Sequence, residues 1–515
     1  MELLPSWTKA GSWTLGRDPL GMQATSVRMY RTLVPGLTNV TNRLRYYSFY
    51  CWVIQHYEET EHSGDEAKWR IFIRRAEALY ALACNIVDPQ QSDGLAGGLW
   101  AGAFRQALPN DTIDLRPHTD QPGQSGQYLK ATRGNFGQFY IASMTEVELL
   151  TPSTRIPIVS NQLGRDMASA FAESVGKTTA LISNAIRTGT VTPAELAEIG
   201  DAAHPSRIPA DSKEMAMLRN YLLATNELGG SGSARRSSAW LLLDLLRLGV
   251  SAEDETGVRK AFYNRHGPDG SPYRVTGLTI DRWMAFQANE LCHIAFEAIL
   301  NGLLTELQKY PLGLEPNLLI TKLLAPLLAK LGTSGRSWRD WSAEIGEEFI
   351  GSEEALAEPI LSTLRDVKLA SNQDGLSSAL QLIAALWHRW GGEDTSVRTM
   401  IEGYAGRGGR SLSGVLRTLD AQASNTVEDA LMQTIRRHLI ADHLTIAGRK
   451  LAASGTFTYH FTLSDGVVSD GRVTNYAYTN PRIKNLIRFL RDANLYDGST
   501  VTKSGTRFLS ENQPV

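Results

Sequence analysis

Apolar residues recur at helical spacing through most of this chain. Leu44, Tyr47, Cys51 and Ile54 fall on one side of a segment from about Thr41 to Tyr57, and Trp69, Phe72, Ile73, Ala76 and Tyr80 do the same from Glu66 to Val87. Both segments are therefore predicted helices. The same periodicity predicts helices over Thr279 to Gln308, Leu318 to Leu331 with a kink at Pro326, Leu376 to Trp390 and Thr426 to Leu451. Residues 1–39 are rich in Gly, Pro, Ser and Thr and read as loop, as do Asp88 to Asn135 apart from Leu99 to Leu108, and Glu253 to Arg274 is a further polar stretch. Strand-like runs are confined to Phe457 to Leu463, Arg472 to Tyr478 and two short pieces, Ile156 to Val159 and Thr500 to Thr502. The fold class is mainly α, with small β-wings.

The breaks in this pattern divide the chain. Gly229-Gly230-Ser231-Gly232-Ser233 is the plainest flexible joint, and the expected division is an N-terminal helical region (1–228), a central helical region (229–424) and a C-terminal domain (425–515). Within the last, Pro481 opens a helix with Ile483, Ile487 and Leu490 on one face. Asp497-Gly498 breaks it before Thr500-Val501-Thr502 and a small turn at Lys503-Ser504-Gly505. This order resembles the recognition helix and wing of winged-helix domains. A similar outline, with a break at Thr151-Pro152-Ser153 and Leu163 opening a new helix, suggests a second such unit at 136–171; two helices joined by one edge strand account for it equally well.

Charge adds one local feature. The chain has 515 residues, 42% of them apolar and 21% charged, with a net charge of −2, so nucleic-acid contact has to be local. From Gly471 to Val515 seven basic residues face three acids, a local charge of +4. Arg482, Lys484, Arg488 and Arg491 on the helix, with Lys503 and Arg507 beyond it, are the candidate phosphate contacts. The resemblance implies double-stranded DNA as the ligand. Cys51, Cys84 and Cys292 form no CxxC pair, which argues against a disulfide framework or zinc finger and for a reducing, cytoplasmic setting. Neither a signal peptide nor an apolar run long enough to span a membrane is evident, so no membrane partner is expected.

Several motifs invite a catalytic reading and fail it. Gly176-Lys177-Thr178-Thr179 lacks the upstream glycine of a phosphate-binding loop, because position 171 is Phe171, and Gly176 reads more simply as a helix stop. Trp240-Leu241-Leu242-Leu243-Asp244 continues as helix. Glu290-Leu291-Cys292-His293 has the spacing of di-iron carboxylate bundles, but its only counterpart, Glu59-Thr60-Glu61-His62, lies in a polar run, so His293 reads as structural and no metal or other cofactor is expected. No Gly-x-Ser-x-Gly, His-Glu-x-x-His or paired-acid nuclease hairpin occurs, and no catalytic residue is assigned.

Arg43, Arg45, Tyr46, Tyr47, Phe49, Tyr50 and Trp52 mix base and ring in one helix, a composition that stacks bases or fills a core; core is the simpler account. Leu33-Val34-Pro35-Gly36-Leu37-Thr38-Asn39 running into Arg43-Leu44-Arg45-Tyr46-Tyr47-Ser48-Phe49 resembles the N-terminal segment of uncharacterised helical proteins of bacterial anti-phage defence neighbourhoods. Gly406-Arg407-Gly408-Gly409-Arg410-Ser411 and Arg235-Arg236-Ser237-Ser238 are further anion candidates. The expected function is a non-catalytic, DNA-binding or scaffolding subunit of a defence complex. The alternatives are a metal-dependent nuclease or oxidase with dispersed ligands, and a winged-helix protein-contact module that binds no DNA.

Overall fold

The computed structural model describes residues 17–90, 94–121, 126–153, 155–160, 162–223, 231–392, 395–406 and 409–512. Glycines 229 and 230 of the expected joint lie outside the described residues, as do Arg407 and Gly408, while the other three residues of that joint, 231–233, begin the helix Ser231–Arg247 instead of a flexible break. The architecture is mainly α, and among the described residues the strands form three two-stranded antiparallel pairs. The chain divides into two units: residues 1–30 with 259–481, and residues 31–258 with 482–515. Residues 425–481 thus belong to the first unit and 482–515 to the second.

In the second unit the helix Glu66–Val87 starts where Asp65 accepts the Ala67 N–H, and Pro193–Ala203 starts at a reciprocal capping box between Thr192 and Glu195. The two cross at Gly200, where any Cβ would meet the carbonyl oxygen of Ala83 at 2.3 Å. The helix Arg45–Glu61 buries its rings: Phe49 stacks on Tyr80 with centroids 4.3 Å apart, and Tyr46 contacts Tyr50, Tyr80 and Tyr140. Their hydroxyls are used inside the core, Tyr47 donating to the Gly36 carbonyl, Tyr50 to Glu77 and Tyr80 to the Ala203 carbonyl. The aromatics of this helix are core, and none is placed to stack a base.

The 136–171 outline is present as secondary structure: a helical stretch to Glu146, Leu150–Thr151 paired antiparallel with Ile158–Val159, and the helix Leu163–Val175. In the first unit the 30-residue helix Leu278–Leu307 is buried around most of its circumference. Pro316–Lys330, which contains Pro326, and Gln373–Trp390 are the expected later helices, while Thr426 to Leu451 becomes Val427–Ile435, a π-helical turn Arg436–Ala441 and Asp442–Ser454.

Four expectations need correction. Residues 23–33 are helix instead of loop, because the Asp18 carboxylate accepts the Gln23 and Ala24 N–H groups while Met29 and Leu33 turn inward. The polar stretch after Glu253 contains the helix Glu255–Asn264, which buries Val258, Ala261 and Phe262 at helical spacing. The Phe457 to Leu463 run is strand only at Thr462–Ser464, paired with Val467–Ser469 through Asp465-Gly466, both at positive φ. Arg472 to Tyr478 is in no strand. Its backbone is held by scattered partners: the Arg472 and Tyr476 N–H groups donate to the His460 and Leu364 carbonyls, Asn301 donates to the Thr474 carbonyl at 2.8 Å, Gln308 to that of Gly471 and Arg259 to that of Thr479, and Glu290 accepts the Thr479 N–H. β-forming residues favour an extended chain, and here side chains of the long helix and its neighbours, with two isolated carbonyls, supply the partners that a second strand would.

Gly200→Ala should destabilise the protein by about 1–3 kcal/mol, since the new methyl forces two packed helices apart. Gly403→Ala, in a helix with nothing within 4 Å of the added Cβ, should be neutral or slightly stabilising. Thermal unfolding of both variants checks the contrast.

Candidate functional site

The tail helix runs Ile483–Asp492, and its apolar face of Ile483, Leu486, Ile487, Phe489 and Leu490 is buried. Instead of a two-stranded wing, one bridge joins Tyr496 to Val501 across a turn held by Asp497, which accepts the Ser499 and Thr500 N–H groups. The expected small turn at Lys503 is a nine-residue helix, Lys503–Glu511, because Thr502 caps it at the Gly505 N–H and Phe508 and Leu509 are buried. Trp240 closes the packing by donating to the Leu509 carbonyl at 2.9 Å.

Polar contacts tie this helix to the segment before Arg45–Glu61. Asp492 accepts from Arg43 Nε and Nη2, the latter at 2.8 Å, and from the Leu44 N–H. A carboxylate thus sits at the start of one helix while ending another. Asn485 donates to the Thr41 carbonyl and to Asn42, and Arg488 donates to Asn42 at 2.9 Å.

The six sequence candidates therefore separate. Arg482 is buried at φ 67° ahead of the helix, and Arg488 is half-buried against Asn42. Lys484, Arg491, Lys503 and Arg507 are exposed. Arg491 lies over the Tyr496 ring and 3.8 Å from Glu253, and Arg507 pairs with Glu511 one turn on. Exposed pairs of this kind contribute little to stability and yield readily to a stronger anion. Asn42, Arg43 and Asp492 were not among the candidates. One signal was available for Asp492: an acid at a helix C-terminus has the wrong sign for the helix dipole, which argues for a specific partner.

The other motifs resolve as follows. Arg45 is fully buried, paired with Glu214 at 2.8 Å and donating to the Ala202 and His204 carbonyls. Arg235 lies inside the helix Ser231–Arg247 and donates to the backbone carbonyls of Leu222, Pro35 and Tyr221, so the expected anion loop there is a helix locked to the core. Arg410 pairs with Asp442, and Gly176 ends Leu163–Val175 with φ 63°. Glu59, Glu61 and His62 are exposed. All three cysteines are free and buried, and burial pushes the Cys84 thiol up to about 12.

Glu290 and His293 form part of a buried constellation in Leu278–Leu307 that also includes Glu297. His293 Nε2 is 2.9 Å from Glu297 and Nδ1 is 3.5 Å from Glu290, all three side chains being buried. Each ring nitrogen faces a different carboxylate, so no single point is shared by the three. Among the described residues, no group of three or more His, Cys, Asp or Glu is arranged to hold a metal ion. Burial opposes the imidazolium, but Glu297 and Glu290 outweigh it and hold the His293 pKa well above its ordinary value.

Two outcomes follow from these pairs. Asp492→Ala, which leaves Arg43 buried without its anion, should cost about 3–5 kcal/mol, measured by denaturant unfolding of the full chain. His293→Gln should destabilise by a similar amount. Because the folded pKa of His293 is raised, its contribution is complete below the unfolded value near 6.5 and is lost as pH rises through the folded one. The gap between wild type and His293→Gln should therefore narrow from pH 6 to pH 9, and a gap that widens would contradict the charged pairing. Compared with known proteins, the chain matches no family model, no curated protein and no solved structure.

Proposed function

We propose that this chain is a non-catalytic, DNA-binding or scaffolding subunit working in the bacterial cytoplasm, in an anti-phage defence complex of the kind its N-terminal segment resembles. The observation that carries the reading is the division of labour in the tail. Every large apolar side chain of Ile483–Asp492 is buried, while Lys484 and Arg491 on that helix, with Lys503 and Arg507 on the next, stand exposed. Such a surface meets phosphates without disturbing the fold. No helix among the described residues is long and apolar enough to cross a membrane.

A second reading, a protein-contact module, is favoured by the use of Arg488, Asn485 and Asp492 to join residues 41–44. The two readings differ in salt dependence. If all four exposed cations neutralise a phosphate, log K for a mixed-sequence duplex should fall with log salt at a slope of roughly −3.6, from about −0.9 per contact. Lys503→Ala with Arg507→Ala should reduce that slope by about 1.8 units and weaken unrelated sequences equally. A full-length protein that shows no salt-dependent duplex binding at low ionic strength leaves the protein-contact reading standing.

A further inference from the structure

Within the second unit lies a cleft of about 500 Å³, with Arg491 of the tail helix in its wall. Three guanidinium groups line it, those of Arg43, Arg488 and Arg491, together with Gln90, Ser206 and Asn494. They come from four separate stretches of sequence, so the cluster is a product of the fold.

Two acids, Asp492 and Asp497, share the wall with the three arginines and leave it a formal charge of +1. Asp492 already accepts from Arg43 and the Leu44 N–H, and Asp497 accepts the Ser499 and Thr500 N–H groups and both their hydroxyls. Both carboxylates are thus engaged by the protein's own donors, although each keeps its negative charge. Arg43 is positioned by Ser206 as well as Asp492, and Ser206 in turn donates its backbone N–H to His204 Nδ1. His204 reports the local field. Burial and then the positive charges of Arg43 and Arg207 hold its pKa down to about 4, so it stays neutral beneath the cleft and adds no competing titration near pH 7.

Size then selects the ligand. A cavity of this volume suits a nucleotide-sized group, whereas a duplex is too wide to enter. Arg491, exposed, and Arg488, half-buried against Asn42, are the guanidiniums that would meet a doubly charged phosphomonoester, whose three terminal oxygens accept more hydrogen bonds than a phosphodiester offers, while Arg43 stays paired with Asp492. We propose that this cleft binds a terminal phosphate, carried either by a nucleic-acid strand end or by a free mononucleotide. The first source rests on the DNA-binding reading above and adds end recognition to it. The second does not need that reading.

The test uses full-length protein and single-stranded oligonucleotides of one sequence carrying a 5′-phosphate, a 3′-phosphate or neither, followed by fluorescence anisotropy. AMP is the free-nucleotide arm, measured by calorimetry and as a competitor. At least one phosphorylated strand should bind about tenfold more tightly than the hydroxyl-ended strand, equivalent to about 1.4 kcal/mol. AMP that binds while no phosphorylated strand is preferred identifies the free nucleotide as the source. Arg491→Gln, an exposed position whose replacement keeps some length, should abolish the preference with an unchanged melting temperature, and Arg491→Ala should do the same. Lys503→Ala with Arg507→Ala, outside the cleft, should retain it. Equal binding of all three strands with no AMP binding overturns the proposal. A covalently closed duplex separates the two readings: its salt-dependent binding without any end preference or AMP binding removes the cleft proposal alone, and end preference without closed-duplex binding removes the duplex reading alone.

Discussion

A charge taken out of water must be matched inside the fold, and that constraint organises both units. In the second unit it acts at the entrance to the helix Arg45–Glu61. Arg43 meets Asp492 from 449 residues further along the chain, and Arg45 meets Glu214. Neither pair is justified by stability alone, because desolvating two ions offsets much of their attraction. What they determine is registry. The apolar faces of a helical bundle would tolerate small slides, whereas a bidentate carboxylate that also accepts the Leu44 N–H tolerates almost none. Glu77 acts in a related way, its carboxylate accepting the Asn135 and Phe136 N–H groups and the Tyr50 hydroxyl, while burial raises its pKa to about 7.

The same constraint has a different form in the first unit. Leu278–Leu307 is too deeply buried to leave polar side chains idle, yet it carries Asn289, Glu290, His293, Glu297 and Asn301 in its buried set. Asn301 and Glu290 bind the backbone of the extended segment around Thr474 and Thr479, Asn289 donates to Ser26, and the remaining carboxylate is matched by His293. A helix that satisfies an extended chain through side chains can hold it where no sheet exists. The cost is that each polar residue has become indispensable, because losing one leaves its partner buried and unmatched.

These requirements limit which cations remain for ligands. Of the basic residues in the tail, Arg482 and Arg488 are drawn into the protein, and the outward surface belongs to Lys484, Arg491, Lys503 and Arg507. Arg488 and Arg491 sit one turn apart and yet face different tasks, one held by Asn42 and the other over Tyr496 with only a distant acid beside it. Position on a helical wheel therefore separates core from surface, and it does not separate an arginine braced by a neighbouring side chain from one that stands exposed.

Helical periodicity alone determined the class, the span Glu66–Val87 to its ends, and the approximate spans of Arg45–Glu61, Leu278–Leu307 and Gln373–Trp390, because burial of one face is written into spacing of 3.6 residues. It also led to the core role of the aromatics after Leu44 and to Gly176 as a helix stop, both of them local consequences of side-chain and backbone chemistry. The helices at 23–33 and 255–264 were masked by polar composition, since their stability comes from a cap and from neighbours instead of a long apolar stripe. The extended run at 472–478 had the residues of a strand and lacked one, because the choice between strand and side-chain partners is made by what packs alongside. Asp492 with Arg43, and Glu297 with His293, were decided by tertiary structure for the same reason: a pairing of buried charges depends on distance in space, which sequence separation does not encode.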